Sequence, residues 1–231
     1  MTALQERGYT VRSYADADPA ARHLILRHDV DMSLAAALAM AETEHRLGVR
    51  AIYFVLLRSE LYNPLSAQGT AAIRRLIDMG HGLGLHLDAS LYADDADQLE
   101  TAARAEIDAL EAVAATPVDA ISFHRPAKAL LGLARTLAGR PHAYHPRFFS
   151  EMGYCSDSRG AWHHGHPLDH PAVQEGRALQ LLTHPIWWPP AAAAASPAIK
   201  LARFLQDRAA LLDEELARQC DVHVGSRNGG S

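Results

Sequence analysis

The sequence has little of several features that define large classes of protein. Cysteine occurs only twice, as Cys155 and Cys220, in 231 residues, which indicates reduced thiols rather than a disulfide framework. No segment reaches the run of about 18 apolar residues that a membrane-spanning helix needs. The alanine-rich PPAAAAASPAI is too short and contains prolines, so no membrane span is expected.

Positive charge is also sparse and unclustered. The formal net charge is -5 and no run of Lys or Arg occurs, so neither nucleic acid nor an anionic membrane is the expected partner. The N-terminal MTALQERGYTVRSY lacks the basic region and apolar core of a signal peptide. We therefore expect a cytoplasmic protein, with its oligomeric state open.

Histidine, in contrast, is abundant, with 14 residues against 22 Lys plus Arg. Histidine is the commonest metal ligand and titrates near neutral pH, so the composition favours metal chemistry. Some histidines are expected on the surface. For the HHGH run at 163–166, a solvated loop is the preferred interpretation, and substrate contact is the alternative.

Short apolar runs alternate with helical patterns along the chain. Strands are predicted at 23–27, 50–57, 82–87, 118–124 and 178–185. Helices are predicted at 34–48, 71–80, 94–115, 128–139 and 197–220, with a loop over 141–171. Such repeated strand–helix units predict an α/β fold with a parallel sheet or barrel. We expect one domain over 1–231, with its core at about 23–220 and a frayed tail at 221–231.

Ionisable side chains gather where four of the predicted strands end. In parallel α/β folds the functional residues lie at the carboxyl ends of the strands, so these groups are expected to meet. The clusters are His28-Asp29-Val30-Asp31, His86-Leu87-Asp88, His124-Arg125-Pro126 and Thr183-His184-Pro185.

The first cluster contains two closely spaced carboxylates. Asp29 and Asp31 are two residues apart, so on an extended strand they share a face. Two such carboxylates repel each other unless a cation lies beside them. A divalent metal would allow one to bind it and the other to act as a base toward water. The alternative is a helix N-cap together with a surface salt bridge to Arg27.

The other clusters supply the remaining groups for metal-assisted hydrolysis. His86 and Asp88 share a face, and imidazole with carboxylate suits zinc or a harder divalent ion. The alternative for His86 is a buried histidine bonded to a backbone carbonyl. His124 could bind metal or orient a carboxylate, and His184 is placed to act as a general acid.

Five motifs, in this order, carry a family resemblance: RHDVD, GHGLGLH, SFHRP, SDSRGAW and LLTHP. Together they resemble the polysaccharide deacetylases of carbohydrate esterase family 4, in the branch whose first motif reads R-H-D-V-D. The resemblance covers roughly residues 23–188. It implies a distorted (β/α) barrel of about seven parallel strands, a divalent metal that is often zinc, and removal of acetyl groups from sugars.

The resemblance implies a role for each matched residue. Asp29 is the general base, Asp31 and His86 bind the metal, Arg125 orients the base, and His184 is the general acid.

The resemblance also implies pocket residues. Asp157 and Trp162 match the fourth motif, whose tryptophan walls the pocket, Asp157 is expected to contact the substrate, and Leu182 lines the acetyl site. Trp187 and Trp188 either stack on a sugar or base, or simply cover the barrel mouth.

The chain departs from the family pattern at one metal ligand. The second histidine of H-x-x-x-H would fall at Ser90, so a third protein ligand is needed. His124 is the first candidate and Asp88 the second, Asp88 otherwise serving as a substrate contact. His28 is disfavoured because it would point away from Asp29.

The sequence thus predicts a metal-dependent enzyme that deacetylates a small N-acetylated sugar. Zinc is the expected ion, and cobalt, nickel, manganese or iron are alternatives. Two other functions stay open. One is a hydrolase of another C–N bond, formyl or cyclic amide, and the other is a non-catalytic glycan-binding protein, motivated by Ser90.

Overall fold

The computed structural model describes residues 1–92, 95–163, 165–223 and 225. The chain divides into two compact units, Met1–Pro190 and Ala191–Ser231. Most of the predicted tail, 224 and 226–231, lies outside the described residues. Within the described part of the chain, no helix is long and apolar enough to cross a membrane.

The first unit is built on one parallel sheet of seven strands, in the order β5-β4-β3-β2-β7-β6 with β1 beside β2. Every pairing is parallel, which confirms the predicted fold class. The strands are β1 Thr10–Val11, β2 His23–Val30, β3 Ile52–Val55, β4 Gly82–Asp88, β5 Ala120–His124, β6 Gly153–Ser156 and β7 Leu179–Thr183. The strands β1 and β6, too short to show a period, were not predicted.

Helices follow most of the strands. They are α1 Thr2–Glu6, α2 Leu34–Arg46, α3 Ala67–Asp78, α4 Ala96–Ala114, α5 Pro146–Phe149, α6 Pro171–Gln174 and, in the second unit, α7 Pro197–Gln219. Helix α2 begins after Ser33, whose side chain accepts a hydrogen bond from Ala36 N, the usual N-cap contact. Its buried residues include Ala37, Ala41 and Glu44, a helical spacing that turns one face toward the core.

The helix predicted over 128–139 is wrong. Only a 3-10 turn forms there, at Lys128–Leu130. Gly132, Ala138 and Gly139 have positive φ angles of 86°, 49° and 75°, which an α-helix excludes. The apolar spacing of KALLGLARTLAG mimics a helical period, but the backbone takes three left-handed residues instead.

Part of the stretch predicted as loop also pairs with the sheet. Ile121 N donates to Pro141 O and Ala143 N donates to Ile121 O, both at 2.9 Å. The segment 141–143 therefore runs alongside β5 as a short parallel bridge.

The sheet is strongly curled. Strand β5 lies three strands from β2, which is about 14 Å in a flat sheet. Yet Ser122 Oγ on β5 lies 3.4 Å from Asp29 Oδ1 on β2. Because serine is a short side chain, this contact requires the sheet to bend around a common interior, as in a distorted barrel. The curl brings the ends of β2, β4 and β5 together.

Candidate metal centre and active site

Three strand ends supply a group of metal-ligand atoms. Asp31 directly follows β2, His86 lies in β4 and His124 ends β5. Their ligand atoms all lie within 4.8 Å of one another. Asp31 Oδ1 is 3.0 Å from His86 Nε2 and 3.4 Å from His124 Nδ1. His124, rather than Asp88, therefore completes the set.

This arrangement fits a divalent cation. Two ligands at about 2.1 Å from one ion, at tetrahedral or octahedral angles, lie roughly 3.0–3.4 Å apart, and both histidine nitrogens lie at such a distance from Asp31 Oδ1. Asp31 Oδ1 is buried and has no well-directed hydrogen bond within the described residues, although both ring nitrogens are close. The three atoms are thus close enough together to bind one ion. Two imidazoles and one carboxylate suit zinc and neighbouring transition metals.

The tautomer of His86 is set by a second contact. His86 Nδ1 lies 2.5 Å from Ser122 Oγ, so Nδ1 can donate there and leave Nε2 free toward Asp31. Such outer contacts orient metal-binding histidines. Burial alone would raise the pKa of Asp31, but the imidazoles of His124 and His86 outweigh it and hold that pKa well below its usual range.

Asp29 is held by Arg27 from the same strand. Arg27 Nε donates to Asp29 Oδ1 at 2.8 Å and Nη2 donates to Oδ2 at 2.7 Å. Both side chains are buried, and the guanidinium lies between the rings of Phe54 and Tyr144, at 5.4 and 5.0 Å. Burial would raise the pKa of Asp29, but the charge of Arg27 prevails and lowers it. Asp29 is therefore ionised and fixed in one orientation.

The contact implied for Arg125 is different from the one observed. Arg125 Nη2 pairs with Asp88 Oδ2 at 3.3 Å and its side chain is 66% exposed, whereas Asp29 is bound by Arg27. The alternative interpretation, a surface salt bridge to Arg27, is correct about the partner but wrong about its location. The Arg27–Asp29 pair is buried. The helix N-cap is Ser33, not either carboxylate of the first cluster.

His184 is held by Asp157. His184 Nδ1 lies 2.7 Å from Asp157 Oδ1, and the backbone N of His184 donates to the same carboxylate at 3.0 Å. Trp188 Nε1 donates to Asp157 Oδ2 at 2.6 Å. Burial would lower the pKa of His184, but Asp157 and the nearby carboxylates of Asp31 and Asp29 raise it. The ring therefore favours its protonated form.

Asp157 is 3% exposed and its oxygens are occupied by these contacts. It positions His184 and is closed to a substrate, so the substrate contact predicted for Asp157 does not fit it.

One cavity of about 130 Å³ joins these groups. Its lining residues are Asp29, Val30, Asp31, Met32, Ser33, Arg159, His184, Pro185, Ile186 and Trp187. Asp29, Asp31, His184 and Trp187 are thus brought together as predicted. His184 Nε2 lies 3.7 Å from Asp31 Oδ2, on the cavity side of its ring.

The other predicted pocket residues lie outside this lining. Leu182 is fully buried on β7. Trp162 packs on Trp188, with ring centroids 5.9 Å apart. Asp88 accepts hydrogen bonds from the N and Oγ of Ser90 besides its pair with Arg125, so Ser90 closes the turn after β4.

The histidine-rich run is only partly described. His163 and His166 are exposed, and the residue at 164 lies outside the described residues. His166 Nδ1 accepts a hydrogen bond from Leu168 N, which is a turn-capping contact.

Sequence reasoning missed Arg27, Ser122 and Arg159 as site residues. Arg27 shares the two-residue alternation of Asp29 and Asp31, so the signal was present. Ser122 likewise alternates with His124 on β5. Arg159 lies in a short turn after β6, where no periodic signal exists.

Comparison with known proteins finds likeness only to solved structures. No protein-family model and no curated protein matches the chain. A family 4 carbohydrate esterase from Bacillus anthracis has 16% sequence identity and a TM-score of 0.48, over 78% of this chain and 75% of that one.

Two further solved structures are similar at the same level. A family 4 acetyl xylan esterase from Clostridium thermocellum, in complex with a cobalt ion, has 16% identity and a TM-score of 0.45 over 80% and 84% of the two chains. The chitin deacetylase from Colletotrichum lindemuthianum has 13% identity and a TM-score of 0.44 over 86% of each chain. All three carry esterase or deacetylase names.

Proposed function

We propose that this protein is a metal-dependent hydrolase that removes an N-acetyl group from a small sugar or sugar-containing intermediate. One observation carries the proposal. Asp31 of the three-residue metal-ligand set, a carboxylate held by Arg27 and a histidine held by Asp157 all line a single cavity. Hydrolysis of an unactivated amide requires these elements together.

Asp31, His86 and His124 would hold the ion. A divalent cation there would acidify water and polarise an amide carbonyl. Asp29 would take a proton from the attacking water. Since its pKa is low, Asp29 is a weak base and depends on that acidification. Arg27 keeps both oxygens of Asp29 fixed, so the carboxylate does not swing onto the ligand set.

His184 would act on the opposite side of the bond. Its Nδ1 is engaged by Asp157, which leaves Nε2 to give a proton to the departing amine. Although burial opposes it, the contact with Asp157 raises the pKa of His184, which favours the proton that a general acid must hold.

The size of the cavity supports acetamide as the group cleaved. The cavity of about 130 Å³ is close in size to a cavity of roughly 150 Å³ that binds benzene, so it has room for a group as small as an acetamide. A small sugar as the remainder, zinc as the ion and a cytoplasmic location are parts of the same proposal. Both cysteines are free thiols, which suits a reducing compartment.

The test combines metal analysis with acetate release. Protein purified with zinc, cobalt or nickel should contain about one ion per chain and release acetate from an N-acetylhexosamine derivative. Asp31→Ala and His86→Ala should lose the ion, whereas Asp29→Asn should keep it and lose at least about 10²-fold in kcat. Formylated and cyclic amides in the same panel test the other C–N bonds.

A glycan-binding protein without turnover was motivated by Ser90. Ser90 is weaker support for this alternative once the structure is considered. His124 offers the third ligand atom, and Ser90 bonds to Asp88. Metal-replete protein that contains no ion, or that holds an ion and cleaves no amide in the panel, would contradict the proposed activity.

A further inference from the structure

One charged residue of the cavity, Arg159, has no role in the chemistry proposed above. Arg159 lines the cavity together with Asp29, Asp31 and His184, and it is the one arginine or lysine among the lining residues. Its side chain is exposed. Within the described residues no hydrogen bond or ion pair involves its guanidinium. A cation at a ligand cavity with no protein partner is available to a ligand.

The charges around the cavity do not require Arg159 for balance. Asp29 is neutralised by Arg27, and Asp31 faces the two imidazoles of the metal-ligand set. Asp157, the nearest carboxylate in sequence, is occupied by His184 and Trp188. None of these carboxylates is therefore paired with the guanidinium of Arg159 in the described part of the chain.

The backbone that carries Arg159 is held in an unusual conformation. Arg159 has φ 59° and ψ 21°, in the left-handed region, and Gly160 follows with φ 79°. A non-glycine residue there is uncommon, and such residues concentrate at binding sites. The turn is anchored at both sides, by Gly160 N donating to Asp157 O at 2.9 Å and by the hydroxyls of Ser156 and Ser158, 2.6 Å apart.

We propose that Arg159 binds an anionic group, a carboxylate or a phosphate, that the acetylated sugar itself carries. The inference rests on the proposed deacetylation, because a cavity of about 130 Å³ takes a group the size of an acetamide but not a whole sugar. The rest of the substrate must then lie at the cavity mouth. A guanidinium offers paired donors that match carboxylate and phosphate oxygens. The substrate class is thus an N-acetylated uronic acid, sugar phosphate or nucleotide sugar.

The test compares matched neutral and anionic substrates in zinc-loaded protein. N-acetylglucosamine is the neutral probe. Its 1-phosphate, its 6-phosphate, its UDP conjugate and N-acetylglucosaminuronic acid are the anionic probes. The wild type should show a higher kcat/KM for at least one anionic probe. Arg159→Gln should lower that value by about 10- to 100-fold, as for loss of one or two charge-assisted hydrogen bonds, and change the neutral probe by less than about 3-fold.

Two variants control the experiment. Arg159→Lys, which keeps the charge but not the paired donors, should lie between the wild type and Arg159→Gln. Arg104→Gln removes an exposed arginine of α4 that pairs with Glu100 and should leave the ratio of anionic to neutral kcat/KM unchanged. A preference confined to the uronic acid or to the phosphates identifies which anion is bound.

The outcomes separate this inference from the proposed function. Acetate release with an equal loss on neutral and anionic probes in Arg159→Gln would overturn the anion site, since Arg159 would then act on the reaction itself. If no probe releases acetate, the proposed function fails. The anion site is then decided by calorimetry with glucosamine 6-phosphate, UDP and glucuronate. Binding that is lost in Arg159→Gln supports the site, and absence of binding to all three refutes it.

Discussion

Strand β2 carries ionisable side chains on both of its faces, and the two faces satisfy them differently. On the face toward α2, here called the helix face, His28 Nε2 lies 2.8 Å from Glu44 Oε1 and Nδ1 lies 2.6 Å from Thr183 Oγ1. Tyr53 Oη donates to the other oxygen of Glu44 at 2.7 Å. Both ring nitrogens of His28 and both oxygens of Glu44 thus have partners.

On the opposite side, here called the cavity face, the polar groups are only partly paired. Arg27 and Asp29 bind each other, but Arg27 Nη1 and Asp31 Oδ1 are buried without a well-directed hydrogen bond in the described part of the chain. An unpaired buried polar atom is costly, and native proteins keep few of them. The comparison indicates that the helix face serves stability, whereas the cavity face is organised for a ligand.

The strongest test of this difference between the two faces is to remove one carboxylate from each. Glu44→Ala should lower the free energy of unfolding by about 3–5 kcal/mol, because it leaves His28 and Tyr53 buried without their partner. Asp31→Asn, measured with chelator present, should cost clearly less than Glu44→Ala, because Asp31 Oδ1 makes no well-directed hydrogen bond in the described residues and the asparagine side chain still fills the site. Denaturant unfolding measures both.

The metal content of the same two variants should show the opposite order of effects. Folded Glu44→Ala should keep its ion, and Asp31→Asn should lose it. A large loss of chelator-treated stability in Asp31→Asn, with the ion retained, would show that the cavity face is structural.

The two arginines linked to Asp29, the proposed general base, offer a second comparison. Arg27→Lys replaces the paired contact to Asp29 with a single one and should lower kcat by about 10- to 100-fold. Arg125→Lys, at an exposed ion pair with Asp88, should have a smaller effect. Steady-state kinetics on one N-acetylated substrate decides between them. A larger loss in Arg125→Lys would restore the orienting role that the motif resemblance implies for it.

These two arginines show where sequence reasoning works and where it fails. The rule that function gathers at strand carboxyl ends placed Asp29, Asp31, His86 and His184 in one site, because their strands are long enough to be recognised. The motif resemblance then put the orienting cation at Arg125. The alternation of side chains along β2 favoured Arg27 instead, but sequence alone does not show which cation the curled sheet brings to Asp29.

Contacts that depend on short elements were beyond sequence reasoning. Asp157 reaches His184 because β6 pairs with β7, and β6 is only four residues long in a stretch predicted as loop. The helix predicted over 128–139 failed for a related reason. Its apolar spacing was correct, but left-handed residues such as Ala138 are set by tertiary packing rather than by local propensity.

A smaller effect is expected from the contact behind the metal-ligand set. Ser122→Ala removes the hydroxyl at 2.5 Å from His86 Nδ1 and should weaken metal affinity by about 10- to 100-fold, with little change in stability. Ser156→Ala is the matched control, since Ser156 is also a buried strand serine but bonds to Ser158. Competition with a zinc chelator measures both. Equal affinities would mean that Ser122 does not orient His86.

The smallest effect concerns acid stability of the helix face. Burial would raise the pKa of Glu44, but His28 and Tyr53 outweigh it, so the folded pKa lies below the ordinary 4.5. A carboxylate with a lowered folded pKa stabilises the protein above its unfolded pKa, and that stabilisation is lost as the pH falls through the folded value. The stability difference between wild type and Glu44→Gln should therefore be constant above about pH 5 and shrink below about pH 4. Urea unfolding of both proteins across this pH range measures the stability difference. A difference that widens toward acid pH would mean that Glu44 is protonated in the native protein. The helix face would then not be stabilised by the charge of Glu44.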